Sequence, residues 1–119
     1  MKAVVFFEHG TLNKVQFADV PEPQIGPDEV LLAVKAAALN RLDLWVLAGW
    51  PGLNLKLPHI MGSDGAGIVA QVGSNVTGFA VGDRVAVKPK VGRDGDYFGR
   101  RGLDNMSENF AIMGEHREG

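Results

Sequence analysis

The sequence contains no cysteine, and that absence removes disulfides, thiolate catalysis and every cysteine-based zinc site together. It also lacks an excess of either charge. Twelve Lys and Arg stand against fourteen Asp and Glu, for a formal net charge of -2. Such a balance leaves no electrostatic footprint for nucleic acid or an anionic membrane surface. No apolar run approaches the roughly 18 residues of a membrane span. Polar residues enter the N-terminal MKAVVFFEHG too early for a secretory signal, so a cytoplasmic location is expected. What is plentiful is punctuation. Sixteen glycines and six prolines in 119 residues point to short strands separated by tight turns, within one domain large enough to bury a core without staples.

Along the chain, KAVVFF at residues 2–7 has the β-branched and aromatic character of a strand. Glu8-His9-Gly10 reads as a turn, and residues 14–20 as its hairpin partner, with Val15, Phe17 and Val20 on one face. Pro21, Pro23, Gly26 and Pro27 form a loop. DEVLLAVKAAA at residues 28–38 reads as a buried strand, with a helix start as the alternative. NRLDLWVL at residues 40–47 is the one helix: Asn40 suits the cap, Asp43 places a carboxylate in the first turn, and Gly49 ends it. GAGIVAQV at residues 65–72 and DRVAV at 83–87 are strands. From Lys88 the chain turns charged and glycine-rich, as a loop or lobe would, before a short returning strand FAIM at 110–113. The total is a mainly β domain, a distorted barrel with one or two short helices and an irregular C-terminal lobe.

Several constellations fail as sites. Gly62-Ser63-Asp64-Gly65-Ala66-Gly67 has the wrong glycine order for a dinucleotide loop and precedes a strand, so no helix N-terminus would meet a pyrophosphate. His9, His59 and His116 are scattered, without the paired spacing of a zinc site. Asp94-Gly95-Asp96 begins like a calcium loop, but its twelfth place holds Asn105 in place of a bidentate Glu. What remains is Asn40, Asp43, Trp45, Trp50, Ser63 and Asp64. Residues three apart on a helix are neighbours, which brings Asp43 back to Asn40. Two tryptophans about a Gly-Pro-Gly break can wall an apolar substrate pocket. They can equally be core, with Asn40 and Asp43 as capping residues only.

LNRLDLWVLAGWPG, followed by LPHIMGSDGAGIVAQVGSNVTGFAVGDRV, resembles the N-terminal GroES-like domain of the medium-chain dehydrogenase/reductases. The resemblance covers essentially the whole chain, and it implies a GroES-like β-barrel over residues 1–119. In zinc-dependent members of that superfamily the helix opens with a cysteine ligand, two residues before a hydroxyl that relays protons. Those places hold Asn40 and Leu42 here. The next ligand is the histidine of a Gly-His-Glu triplet, which reads Gly62-Ser63-Asp64. The resemblance further implies that residues 88–119 are a degenerate structural-zinc lobe, with Arg93, Asp96, Gly99 and Ser107 where four cysteines would stand. Packing and charge pairs would hold that lobe.

The implied activity is that of the quinone oxidoreductase branch, or of alcohol dehydrogenase-like proteins without catalytic metal. Hydride would pass from NAD(P)H to a carbonyl, quinone or activated alkene, with no zinc. Asn40, Asp43, Ser63 and Asp64 would be the catalytic residues, Asn40 also touching the cofactor's ribose, and Trp45 and Trp50 would line the substrate pocket. The Rossmann domain that binds NAD(P)H in the family does not follow within these residues, so the chain is expected to be inactive by itself and the full-length protein to be a homodimer. A zinc enzyme with non-standard ligands and a non-enzymatic GroES-like assembly module are the competing expectations.

Overall fold

The computed structural model describes residues 1–91 and 96–119. Arg93, and Asp94-Gly95 of the calcium-like stretch, lie outside the described residues. Among the described residues, eight strands and one α-helix follow each other as β1 Lys2–Phe6, β2 Gln16–Asp19, β3 Val30–Ala38, α1 Arg41–Ala48, β4 His59–Ile60, β5 Asp64–Val72, β6 Arg84–Ala86, β7 Lys90–Val91 and β8 Ala111–Ile112. The mainly β architecture read from the sequence is the one present.

The strands form three ladders, β2-β1-β4, β3-β5-β6 and β7-β8, all antiparallel. In β1 the burial alternates: Ala3 and Val5 are buried while Lys2 and Val4 face water, and Phe6 then closes the strand inside the core. That alternation is the period-two pattern of a half-buried strand. β2 begins only at Gln16 and pairs from Lys2 opposite Asp19 to Val5 opposite Gln16. Val15 precedes it and packs on the core, whereas Phe17 is exposed, so the two do not share a buried face.

β4 is only two residues long and has no periodicity of its own. It exists because Ile60 and His59 pair with Val5 and Phe6. The core gathers there: Phe6, Val46 and Leu47 are fully buried, with Val15, Leu42, Leu55 and Met61 packed around them. Burying each of the three contributes about 2–3 kcal/mol.

The nine-residue β3 is a strand, as the proline-rich entry and valines suggest, but it is not buried. From Ala33 to Ala38 every residue is exposed. β3 is the outer strand of its ladder, and its small alanines leave little to cover. It pairs along its length with β5 through two register shifts. Beside the second shift Gly67 lies so near β3 that an added Cβ would overlap the Ala33 carbonyl oxygen. Glycine is required there by close backbone approach.

Beyond β6 the lobe is tied by carboxylates. Asp96 accepts hydrogen bonds from Gly99 N–H at 2.6 Å, Ser107 Oγ–H at 2.6 Å and Glu108 N–H at 2.9 Å. Asp104 receives Lys90 Nζ at 3.0 Å and Lys88 Nζ at 3.2 Å. Each carboxyl is held below its ordinary pKa, Asp96 by the Ser107 hydroxyl first and Asp104 by Lys90 first. The last residues fold back on β4: Gly119 N–H donates to Ile60 O at 3.1 Å, and a Cβ on Gly114 would overlap Gly62 O.

Candidate functional site

The site is built at the junction of three elements: the end of β3, the start of α1 and the start of β5. α1 starts where it does because Asn40, in extended backbone, precedes it as N-cap, and the Asn40 N–H donates to Asp43 Oδ2 at 2.7 Å. That bond is the carboxylate arm of a capping box, and it places negative charge in the first turn. Asp43 is 6% exposed, so the bond is shielded from water. α1 ends at Gly49, whose φ of 74° takes it out of the helix while its N–H donates to Trp45 O. His9 finishes that end, with Nδ1 at 3.0 Å from Val46 O and 3.3 Å from Leu47 O.

With its backbone held by Asp43, Asn40 points its side chain across to β5. Asn40 Nδ2 donates to Asp64 Oδ2 at 2.7 Å and lies 3.4 Å from Ser63 Oγ. A carboxylate partner fixes the amide's orientation, since only the NH2 group can donate to it. The mutual register of β3 and β5 makes the meeting possible: Ala38 pairs with Asp64, so the residues on either side are brought together. Ser63 is 6% exposed, and among the described residues its hydroxyl proton has no acceptor. The four residues singled out as catalytic in the sequence therefore form one hydrogen-bonded cluster.

The tryptophans do not join it. Trp45 is 58% exposed and Trp50 is 40% exposed, and no hydrogen bond or ring contact ties either indole to the cluster. Nor are they core. The buried stripe of α1 is Asp43, Val46 and Leu47, spaced three and four apart, and Trp45 lies off it.

His59, set aside in the sequence for its lack of a paired ligand, is 1% exposed and donates from Nε2 to Gly114 O at 3.0 Å. Its ring packs on Phe6 at 5.4 Å between centroids. The only hint of this in the sequence is its place directly after an apolar Leu57-Pro58 entry. Among the described residues, no group of three or more His, Cys, Asp and Glu is placed to hold a metal ion, and no helix is long and apolar enough to cross a membrane.

Residues 26–119 match the family described as the alcohol dehydrogenase GroES-like domain. The chain belongs to that family. This GroES-like domain is 46% identical to an alcohol dehydrogenase of Schizosaccharomyces pombe over 87 residues, 72% of this chain and 25% of that protein. A crystal structure of an NAD-dependent alcohol dehydrogenase superposes with a TM-score of 0.94 at 44% identity, covering 100% of this chain and 35% of that one. A cobalt- and zinc-bound thermostable alcohol dehydrogenase from Pyrobaculum aerophilum gives 0.91 at 35% identity, covering 100% and 36%. The chain thus spans about a quarter to a third of the length of these relatives. The resemblance to the medium-chain dehydrogenase/reductases and the GroES-like fold both hold.

Proposed function

We propose that this chain is the substrate-side domain of a zinc-independent, NAD(P)H-dependent oxidoreductase that transfers hydride to a carbonyl, quinone or activated alkene. The observation that carries the reading is the Asn40–Asp64–Ser63 cluster. At the places of the resemblance's metal ligands it offers an amide, a hydroxyl and one carboxylate, and that carboxylate is already bonded to Asn40. A neutral amide and a hydroxyl are poor ligands for zinc, and one carboxylate cannot hold a catalytic zinc alone. The donor set does not fit the metal, although the relative from Pyrobaculum aerophilum was solved with cobalt and zinc.

A nicotinamide cofactor, held outside this chain, supplies the hydride when bound. The residues here supply position and polarity. Ser63 has an uncommitted O–H and can donate to a carbonyl oxygen as negative charge develops on it, the action of an oxyanion-type donor. Asn40, fixed by Asp43 and Asp64, holds Ser63 in place beside the substrate or the nicotinamide ribose. Trp45 and Trp50, exposed in this chain, supply apolar walls once substrate and the cofactor-binding part are in place. Residues 88–119 are the degenerate structural-zinc lobe, with Asp96 as its tie. The working protein is a cytoplasmic homodimer.

The test is turnover by a protein carrying this chain joined to a nicotinamide-binding domain. Quinone reduction driven by NADPH without added zinc, falling at least about tenfold on Asn40→Ala, is the expected result. Turnover only with stoichiometric zinc overturns the proposal, as does an unchanged rate in Asn40→Ala.

A further inference from the structure

The backbone reaches Ser63 through a loose joint. Before the joint Met61 is fixed, its N–H donating to Val4 O at 3.0 Å, and after it Asp64 is fixed by pairing with Ala38. Gly62 lies between them. Its φ is 116°, a Cβ on it would meet nothing within 4 Å, and among the described residues it makes no backbone hydrogen bond. A glycine so placed lets the peptide that leads into Ser63 rotate unless a neighbour stops it.

That neighbour is the tail. Gly114 is buried, and a Cβ on it would overlap Gly62 O and lie 3.3 Å from Ser63 N. Its own φ of 81° also disfavours any side chain, so close approach and backbone conformation both require glycine there. Gly119 comes up to the same carbonyl: a Cβ on it would overlap Gly62 O, and its N–H donates to Ile60 O at 3.1 Å. Gly114 is held in turn. Its carbonyl accepts His59 Nε2–H at 3.0 Å, and its N–H donates to Arg117 O at 2.8 Å. His59 belongs to β4, which is paired to β1 and buried, so the tail is anchored to a fixed point of the core. Residues 59–63 thus carry the hydroxyl and also grip the loop that steadies it.

We propose that residues 113–119 are a buttress for Ser63. His59 anchors Gly114, and the bare Cα faces of Gly114 and Gly119 lock the Gly62 carbonyl and so aim the Ser63 hydroxyl. The proposal rests on the reading of Ser63 as donor to the developing oxyanion. His59, Gly114 and Gly119 are then positioning residues that act through Ser63. A donor works only where the negative charge appears, so a misplacement on the order of 1 Å can cost about a hundredfold. An interaction made only in the transition state shows its loss in kcat and leaves KM in place.

The test uses a protein carrying this chain joined to a nicotinamide-binding domain. Gly119→Ala and Gly114→Ala should each move the NMR signal of the Ser63 amide and lower kcat at least about tenfold, with KM within about twofold. His59→Leu should do the same, and His59→Gln, whose amide can donate to Gly114 O, should restore most of the rate. In a Ser63→Ala background neither glycine variant should cost anything more, because the group they disturb is gone. Gly114 and His59 are buried, so the exposed Gly119 variant decides the question if the others do not fold. An unmoved Ser63 signal, a loss that falls on KM, or losses that add to that of Ser63→Ala overturn the buttress. A rate that falls in Ser63→Ala but holds in the glycine variants overturns the buttress alone. A rate unchanged in Ser63→Ala overturns the donor reading, and the catalytic role of the tail with it.

Discussion

Replacing Asp43 with alanine removes one acceptor that serves both the helix and the site. The lost bond runs from Asn40 N–H to Asp43 Oδ2 at 2.7 Å, on a residue only 6% exposed. A hydrogen bond to a charged, shielded partner contributes about 1.5–3 kcal/mol. The carboxylate's interaction with the N-terminus of α1 adds about 0.3–1 kcal/mol. Alanine recovers about 0.6 kcal/mol through its better helix propensity. The net loss is about 2 kcal/mol. For a chain of 119 residues, unfolding entropy is about 0.25 kcal/mol/K, so the melting temperature should fall by about 8 °C. Urea unfolding followed by circular dichroism measures the first figure and a thermal scan the second. Asp43→Asn keeps an acceptor in place and gives up only the charge, so it should lose about half as much. If alanine costs less than about 0.5 kcal/mol, or asparagine costs as much as alanine, the capping argument fails. The same samples report on the site, because freeing the Asn40 backbone should move the NMR signal of the Asn40 side-chain amide.

Two further outcomes follow from close approach and from charge. Gly67→Ala forces a methyl group onto the Ala33 carbonyl, and the two strands must part; a loss of about 1–3 kcal/mol is expected in urea unfolding, and a neutral substitution would show that the β3–β5 spacing is wrong. Asp96 and Asp104 have folded-state pKa values below their ordinary ones, so their contribution is present above the unfolded value near 4 and is lost as pH falls through the folded values. Stability should therefore decline below about pH 4, and Asp96→Asn should shallow that decline; the same acid profile in wild type and variant would refute it.

The strands were legible where side-chain pattern and turn residues agree. β1, β5 and α1 announce themselves through alternation, glycine boundaries and a cap. β4 and β7 do not, because two residues carry no period and exist as strands only through their partners. The burial of β3 was misread for a related reason: hydrophobicity says that a segment could be covered, while its place at a sheet edge decides whether it is. In the site, Asn40 and Asp43 were readable from helix spacing, and their link to Ser63 and Asp64 was carried by the resemblance. Only the register of β3 on β5 gives that link a physical cause. His59 was invisible, since a lone histidine shows neither its burial nor its partner.

The cluster and the lobe face the same chemical problem under the proposed reading, and each answers it with an aspartate. Where the resemblance places the metal ligands of the catalytic site, Asn40 and Ser63 meet beside Asp64. Where it places cysteines in the lobe, Gly99 and Ser107 converge on Asp96. In both places a carboxylate collects N–H and O–H donors from separate stretches of chain, which joins segments as a metal would but confers no Lewis acidity. The two aspartates differ in what surrounds them. Asp96 gathers two backbone N–H groups and a hydroxyl, enough donors to fix the lobe and hold its own proton off. Asp64 is exposed and, among the described residues, its carboxylate receives only Asn40, which leaves the neighbouring Ser63 hydroxyl without an acceptor there. A structural tie should satisfy its donors, and a site that acts on substrate must keep one uncommitted. Under the proposed reading, that contrast assigns the chemistry to Ser63 and the scaffolding to Asp96.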